Sequence, residues 1–384
     1  MSVLPKPDEI ALAHSKKLRE LLTARIESDG PISFARYMEQ ALYEPGLGYY
    51  MAGASKFGGQ GDFITAPEVS PLYGSAIAQE AHAVLAQTGG GILELGAGSG
   101  LLALSLIANL PASSEVTYSI LEPSAELIQR QQDLLQAQLS VEQFRRVQWL
   151  DTLPVDFTGV VLATEVMDAL PVQRFVAGDP LQQIFLDKDL QPFNGVVGDD
   201  LQKAIAAIEA DLGVPFVQGY TSEVCLLLKP WLAGLGHCLK HGVILLIDYG
   251  YPRREYYLPE RNEGTLACYY QHRAHHDALL WPGLQDITAH VDFTAVAEAA
   301  VDNDLDLLGY ASQSAFLLDN NLLALADQQM ATAEREVDRI AISRAVKTLT
   351  LPGEMGERFQ VMALGKGYDA SLNGFLTQDL SHRL

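Results

Sequence analysis

Glu94-Leu95-Gly96-Ala97-Gly98-Ser99-Gly100 sets one carboxylate two residues ahead of three alternating glycines. Glycine admits positive φ and lets backbone approach a ligand with no Cβ between them. A dinucleotide fingerprint needs G-x-G-x-x-G, and here Leu101 stands where its third glycine belongs. The carboxylate of Glu94 would repel a pyrophosphate and attract a cation. S-adenosylmethionine carries a sulfonium and an ammonium group and no phosphate, so the loop predicts a methyl-donor site at Glu94, Gly96, Ala97, Gly98 and Gly100.

Further acids follow at the ends of apolar runs. Val116–Leu121 reads as a strand ending at Glu122. An acid about 20 residues beyond the glycine loop binds ribose hydroxyls in Rossmann-like units. Val147–Leu150 runs into Asp151, either an acceptor for an adenine amino group or a plain loop acid. Gly159–Ala163 delivers Thr164-Glu165-Val166-Met167-Asp168 to the same edge. Two acids three apart would share one face of a helical turn, and paired carboxylates match the planar donor fork of a guanidinium. Glu165 and Asp168 are thus the candidate catalytic pair, unless Asp168 caps a helix and Glu165 is solvated. Asp62 and Thr65, in a glycine-dense stretch before a helix, read as a lid over the cofactor or as a loop-to-helix connection. His272, His275 and His276 have metal-like spacing, but only Asp277 stands by to complete a set, so no metal is expected.

The elements that must position these residues alternate strand and helix, which predicts an α/β fold with a mostly parallel sheet. Strand 91–95, the glycine turn and the apolar helix 101–110 form the opening unit. Helices are expected over 8–28, 34–42, 70–85, 199–212, 223–241 and 330–349, hairpin strands over 175–198, and further strands at 243–247 and 359–364. The expected organisation is an N-terminal helical and loop extension over 1–85, a cofactor-binding core over 86–250 and 300–366, and a cap insertion over 251–299.

The chain has 384 residues, with 48% apolar and 19% charged side chains, enough for a sizeable core. No apolar run approaches the roughly 18 residues of a membrane span, and residues 1–17 look like neither a signal nor a transit peptide. Cys225, Cys238 and Cys268 are odd in number and widely spaced, as in a reducing compartment. A cytoplasmic protein is expected. The net charge of −22 disfavours nucleic acid and suits a basic substrate.

Six blocks occur in order: Gly61–Ser70, Glu94–Gly100, Glu122–Ser124, Glu165–Pro171, Asp248–Gly250 and Ile287–Thr294. Together they resemble the MidA-type class I methyltransferases, whose eukaryotic members are mitochondrial complex I assembly factors that methylate an arginine. The likeness spans roughly residues 14–365. It implies a Rossmann-like seven-stranded sheet with the last strand antiparallel, S-adenosylmethionine as cofactor, and a protein substrate with no nucleic acid and no membrane insertion. It also leaves room for a homodimer. Cofactor roles carry over to Glu94, Gly96, Gly98, Gly100 and Glu122, and substrate-side roles to Glu165 and Asp168. This chain departs from the pattern at Thr164, where the family has Asn, and at Ala97, where it has Pro. The expected activity is protein-arginine methylation; the alternatives are a non-catalytic assembly module of the same fold and a nicotinamide-dependent dehydrogenase.

Overall fold

The structure is a computed structural model that describes residues 4–52, 65–110 and 115–384. The chain divides into two compact units, one over Met1–Phe63, Met167–Lys229 and Tyr251–Asp292, the other over Ile64–Val166, Pro230–Gly250 and Phe293–Leu384. The segment 86–250 expected to form one core is therefore shared between them. The helix expected in the N-terminal extension, α1 (Pro71–Thr88), belongs to the second unit.

That second unit is built on a seven-strand path of β1 (Gly91–Leu95), β2 (Tyr118–Leu121), β3 (Val147–Leu150), β4 (Phe157–Thr164), β5 (Leu239–Tyr251), β6 (Asp306–Ser312) and β7 (Phe359–Lys366). Their spatial order is β6-β7-β5-β4-β1-β2-β3. β1 to β5 run parallel, and β7 is antiparallel to both its neighbours. The strands are apolar on both faces, as a parallel sheet covered by helices requires: Ile92, Leu93, Val160, Val161, Leu245 and Leu246 are all buried. Leu72, Ala76 and Ile77 of α1 and Leu102 and Leu106 of α2 (Leu101–Asn109) share one apolar cluster with Ile92, Ile120, Leu162 and Ile247. α3 (Ala125–Gln138) begins at Ser124, whose hydroxyl accepts from the Leu127 N–H at 3.4 Å.

At the amino edge of this sheet three strands are drawn together by a row of glycines. Gly91 pairs with Gly159, and Gly159 with Gly242. Gly159 and Gly242 sit at φ +125° and +141°, and a Cβ on either would strike the carbonyl oxygen of the glycine beside it. At the far side, Glu80 of α1 is fully buried and receives Asn320 Nδ2 at 3.1 Å and the N–H groups of Asn373 and Gly374 at 3.0 and 2.6 Å. Burial raises its pKa, and these donors pull it back.

The other unit holds helices Glu9–Asp29 and Phe34–Tyr43, an antiparallel sheet and a three-stranded sheet. The strands Gln173–Val176, Gln182–Leu186 and Pro192–Val196 realise the expected hairpins. The helix expected over 223–241 is corrected. Thr221–Val224 is a strand paired with Gln173–Val176, and the helix covers only Leu228–Cys238. Its physical reason is Glu223, which is fully buried, faces Arg174 Nε at 3.3 Å and accepts the Thr265 N–H at 2.9 Å. The late helix is likewise two, Leu322–Thr332 and Glu336–Thr350, separated where Arg335 adopts extended backbone. Among the described residues no helix is long and apolar enough to cross a membrane.

Replacing Gly159 by Ala should lower unfolding free energy by about 1–3 kcal/mol, the range for a strained backbone position. Urea denaturation of the purified variant measures it; an unchanged midpoint would mean that the strands do not meet as closely as described.

Candidate functional site

The glycine loop is shaped by backbone that only glycine adopts cheaply. Gly96, Gly98 and Gly100 have φ of +64°, +52° and +81°. The Gly96 N–H donates to the Leu121 carbonyl at 2.9 Å, tying the loop to the end of β2, and the Gly100 N–H donates to the Ala97 carbonyl at 2.8 Å. Gly100 is then the N-cap of α2. Ala97 is buried in the turn.

Two carboxylates bracket this loop, and both are withdrawn from water. Glu94 is 3% exposed and Glu122 7% exposed. Glu94 Oε2 accepts the Tyr118 hydroxyl at 2.7 Å. Burial pushes the Glu94 carboxyl up to about 7, the Tyr118 hydrogen bond opposes that rise, and the charge of Glu122 adds to it. Glu122 Oε1 accepts the Ser124 N–H at 3.1 Å, and its Oε2 accepts Gln131 Nε2 at 3.3 Å. The same Gln131 nitrogen donates to the Gly98 carbonyl at 3.0 Å, while Gln131 Oε1 accepts the Trp149 indole N–H at 2.9 Å.

The ends of β4 and β5 extend the site. Thr164 is the last residue of β4 and pairs with Ile247. The Glu165 N–H continues the ladder to the Ile247 carbonyl at 2.9 Å. Asp248 is buried and accepts the Tyr249 N–H at 2.9 Å. Tyr73, fully buried on α1, turns its phenol toward this group. Burial raises its pKa first; Glu165, Asp248 and Glu94 add to the rise, and the nearby Thr164 hydroxyl lowers it. Among the described residues its hydroxyl has no partner within hydrogen-bond geometry.

Several expectations change. Glu165 and Asp168 do not share a helical face: Glu165 is left-handed at φ +54°, and the segment is a turn closed by the Leu170 N–H on the Met167 carbonyl at 3.1 Å. The two acids also fall in different units, Glu165 with the sheet and Asp168 with the other. There Asp168 is buried and its carbonyl accepts the Ala289 N–H at 3.0 Å; the Tyr50 hydroxyl donates to Asp286 Oδ1 at 2.8 Å, and the Asp168 charge helps raise the Tyr50 pKa behind burial and Asp286. Asp292 pairs with buried Arg253, Oδ2 to Nε at 3.2 Å. Asp151 is exposed just past β3. Thr65 is the N-cap of the short helix Ala66–Val69, its N–H held by Glu68 Oε2 at 3.1 Å. Asp62 lies outside the described residues. Among the described residues no group of three or more potential metal ligands assembles; the His276 ring bonds to the Leu266 carbonyl, Nδ1 to O at 3.1 Å, and burial lowers the His275 pKa.

Tyr118, Gln131, Trp149 and Tyr73 were not anticipated as site residues. Tyr118 could have been found from strand periodicity, because it precedes Glu122 by four residues and shares its face. Gln131 interrupts the buried stripe Leu127, Gln131, Leu135 of α3, and a lone amide in an apolar stripe is a signal of a satisfied polar network.

The arrangement suits a cationic nucleoside. Glu94 is a buried, ionisable carboxylate, Glu122 is a second buried acid held by two donors, and the glycines leave room for backbone approach. Comparison with known proteins agrees. A family model described as "Putative S-adenosyl-L-methionine-dependent methyltransferase" matches residues 73–311. The crystal structure of a superfamily member from Burkholderia thailandensis bound to S-adenosyl-homocysteine is 38% identical and superposes over 100% of both chains with a TM-score of 0.92. The protein arginine methyltransferase NDUFAF7 homolog, mitochondrial, of Drosophila melanogaster is 29% identical over 94% of this chain and 88% of its own length. Its counterpart in Homo sapiens is 28% identical over 90% and 82%.

Because Glu94 holds its proton more tightly folded than unfolded, its contribution to stability is complete below the ordinary carboxylate range and is lost as pH rises through about 7. Relative to Glu94→Gln, the wild-type unfolding free energy should therefore fall by up to about 1 kcal/mol per pH unit across that window. Denaturant titrations at a series of pH values test this; parallel profiles for the two proteins would rule it out.

Proposed function

We propose that this protein transfers a methyl group to an arginine side chain of a partner protein. The chain belongs to the S-adenosyl-L-methionine-dependent methyltransferase family whose model it matches over residues 73–311, so the acceptor is the part that is inferred. The observation that carries the cofactor side is the pair of buried carboxylates, Glu94 and Glu122, bracketing three left-handed glycines. On the acceptor side, support comes from the names of the Drosophila and human relatives and from the acids Glu165 and Asp168.

When bound, S-adenosylmethionine supplies an electrophilic methyl on its sulfonium. Glu94 would hold the ammonium group and Glu122 the ribose hydroxyls, with the loop backbone from Gly96 to Gly100 closing on the nucleoside. Methyl transfer asks the protein chiefly for orientation and electrostatics. Glu165, at the end of β4, would hold the guanidinium of the acceptor, localise its positive charge away from the attacking nitrogen, and take up the proton lost on methylation. An arginine with its ordinary pKa of roughly 12.5–13.8 is a poor nucleophile until that is done. The net charge of −22 draws a basic acceptor segment toward the protein.

Binding a cation beside Glu94 favours its ionised form, so calorimetry near pH 6 should show proton release on binding S-adenosylmethionine. The release should vanish in Glu94→Gln; equal release in both proteins would detach Glu94 from the cofactor. Tyr73→Phe distinguishes a working hydroxyl from a buried orphan: if the phenol meets the cofactor, affinity should fall about tenfold, as for a lost hydrogen bond. Unchanged affinity with raised stability would mark it as structural. Mass spectrometry of co-purified partners tests the acceptor. Arginine methylation should be present with the wild type and absent with Glu165→Ala/Asp168→Ala. Persistence in the double variant would remove the substrate-side assignment, and binding of cofactor without any transfer would favour a non-catalytic assembly role.

A further inference from the structure

We propose that Gln131 is a positioning residue of the cofactor site: its amide holds Glu122 and the Gly98 peptide in the orientation the ribose hydroxyls require, and Trp149 decides which way that amide faces. This rests on the cofactor reading given above. A primary amide removed from water is costly unless all its groups are paired, and Gln131 is fully buried. Its one oxygen and its amide nitrogen are engaged at once: Oε1 accepts the Trp149 indole N–H at 2.9 Å, and Nε2 donates to the Gly98 carbonyl at 3.0 Å and to Glu122 Oε2 at 3.3 Å.

The direction of this chain of hydrogen bonds is dictated by chemistry. An indole N–H can only donate, so the amide oxygen must face Trp149. Both amide hydrogens then face the other way, toward two acceptors. The reverse orientation would set the amide oxygen against the Glu122 carboxylate and the amide nitrogen against the indole N–H. Trp149 therefore acts through Gln131 on Glu122, whose other oxygen is held by the Ser124 N–H at 3.1 Å. Gripped at both oxygens, the carboxylate keeps its remaining lone pairs in fixed directions. The loop is gripped by the same side chain: a Cβ on Gly100 would approach Gln131 Cγ to 3.3 Å and Cα to 3.5 Å, so the last glycine of the motif is also the surface on which Gln131 rests.

The test is calorimetric binding of S-adenosylhomocysteine and of its 2′-deoxy analogue to the full chain, as wild type, Gln131→Leu, Trp149→Phe and the double variant. Gln131→Leu should weaken S-adenosylhomocysteine roughly ten- to a hundredfold, the scale of a hydrogen bond to a charged group. It should weaken the deoxy analogue far less, because the contact being disordered is the one to the missing hydroxyl. Trp149→Phe should narrow the same discrimination to a smaller extent, and the double variant should be no worse than Gln131→Leu. Equal losses for both ligands would reduce Gln131 to a packing residue and overturn the proposal, as would unchanged affinity. Failure of the wild type to bind either ligand would overturn the cofactor reading and this assignment together. In the unliganded protein, the Trp149 indole N–H resonance should move in Gln131→Leu, and no movement would refute the hydrogen bond itself. Trp149→Phe keeps the inference testable should Gln131→Leu fail to fold.

Discussion

Removing two carboxylates from water at the ends of neighbouring parallel strands is the demand that organises this site. An ionised carboxylate is expensive to bury unless hydrogen bonds or protonation relieve it. Glu94 and Glu122 are relieved differently. Glu94 accepts the Tyr118 hydroxyl, and burial holds its proton on to about pH 7. Glu122 is met by a backbone N–H at the start of α3 and by an amide in the middle of it. The charge of Glu122 also raises the cost of ionising Glu94. β2 and α3 are then constrained to bring donors to within reach of these two groups: the Tyr118 hydroxyl from β2, the Ser124 N–H at the start of α3 and the Gln131 amide within it.

The same economy recurs away from the loop. Glu223 is buried in the other unit, where burial raises its pKa, and it is answered by the Arg174 charge and the Thr265 N–H. A glycine at 264 is needed beside it, because any Cβ there would fall on the carboxylate. A buried acid thus dictates an arginine on one strand, a backbone donor on a distant loop and the absence of a side chain at a third place. Charges of this kind are poor sources of net stability but strict about geometry.

How much of this was legible depended on range. The strand, glycine turn and helix over 91–109 could be read because local residue types demand them: an apolar run, three residues suited to positive φ, and an apolar helix. Glu122 was legible because the strand-to-acid interval is set by the repeating unit. Gln131 left only its break in the apolar stripe of α3, and Trp149 left no mark, since what joins them is a hydrogen-bond chain crossing from α3 to β3 and back to the loop. The helix expected from 223 failed because Glu223 reads as a solvent-facing residue until its distant partners are known. The expected helical pairing of Glu165 and Asp168 failed for a backbone reason: a non-glycine residue at φ +54° ends the strand abruptly, and residue spacing carries no mark of that. Such strained positions are found more often where structure serves a ligand than elsewhere.

The buried Glu80 has a meaning for how the protein is made. It leaves the ribosome early, on the first long helix of the sheet unit, yet two of its donors are backbone groups 293 and 294 residues later. Until those residues are synthesised, the carboxylate has no dry place to go, and the helix that carries it cannot settle against the others without leaving a charge uncompensated. A chain lacking Asn373 and Gly374 would leave Glu80 with the Asn320 amide and without the two backbone N–H groups that close its site.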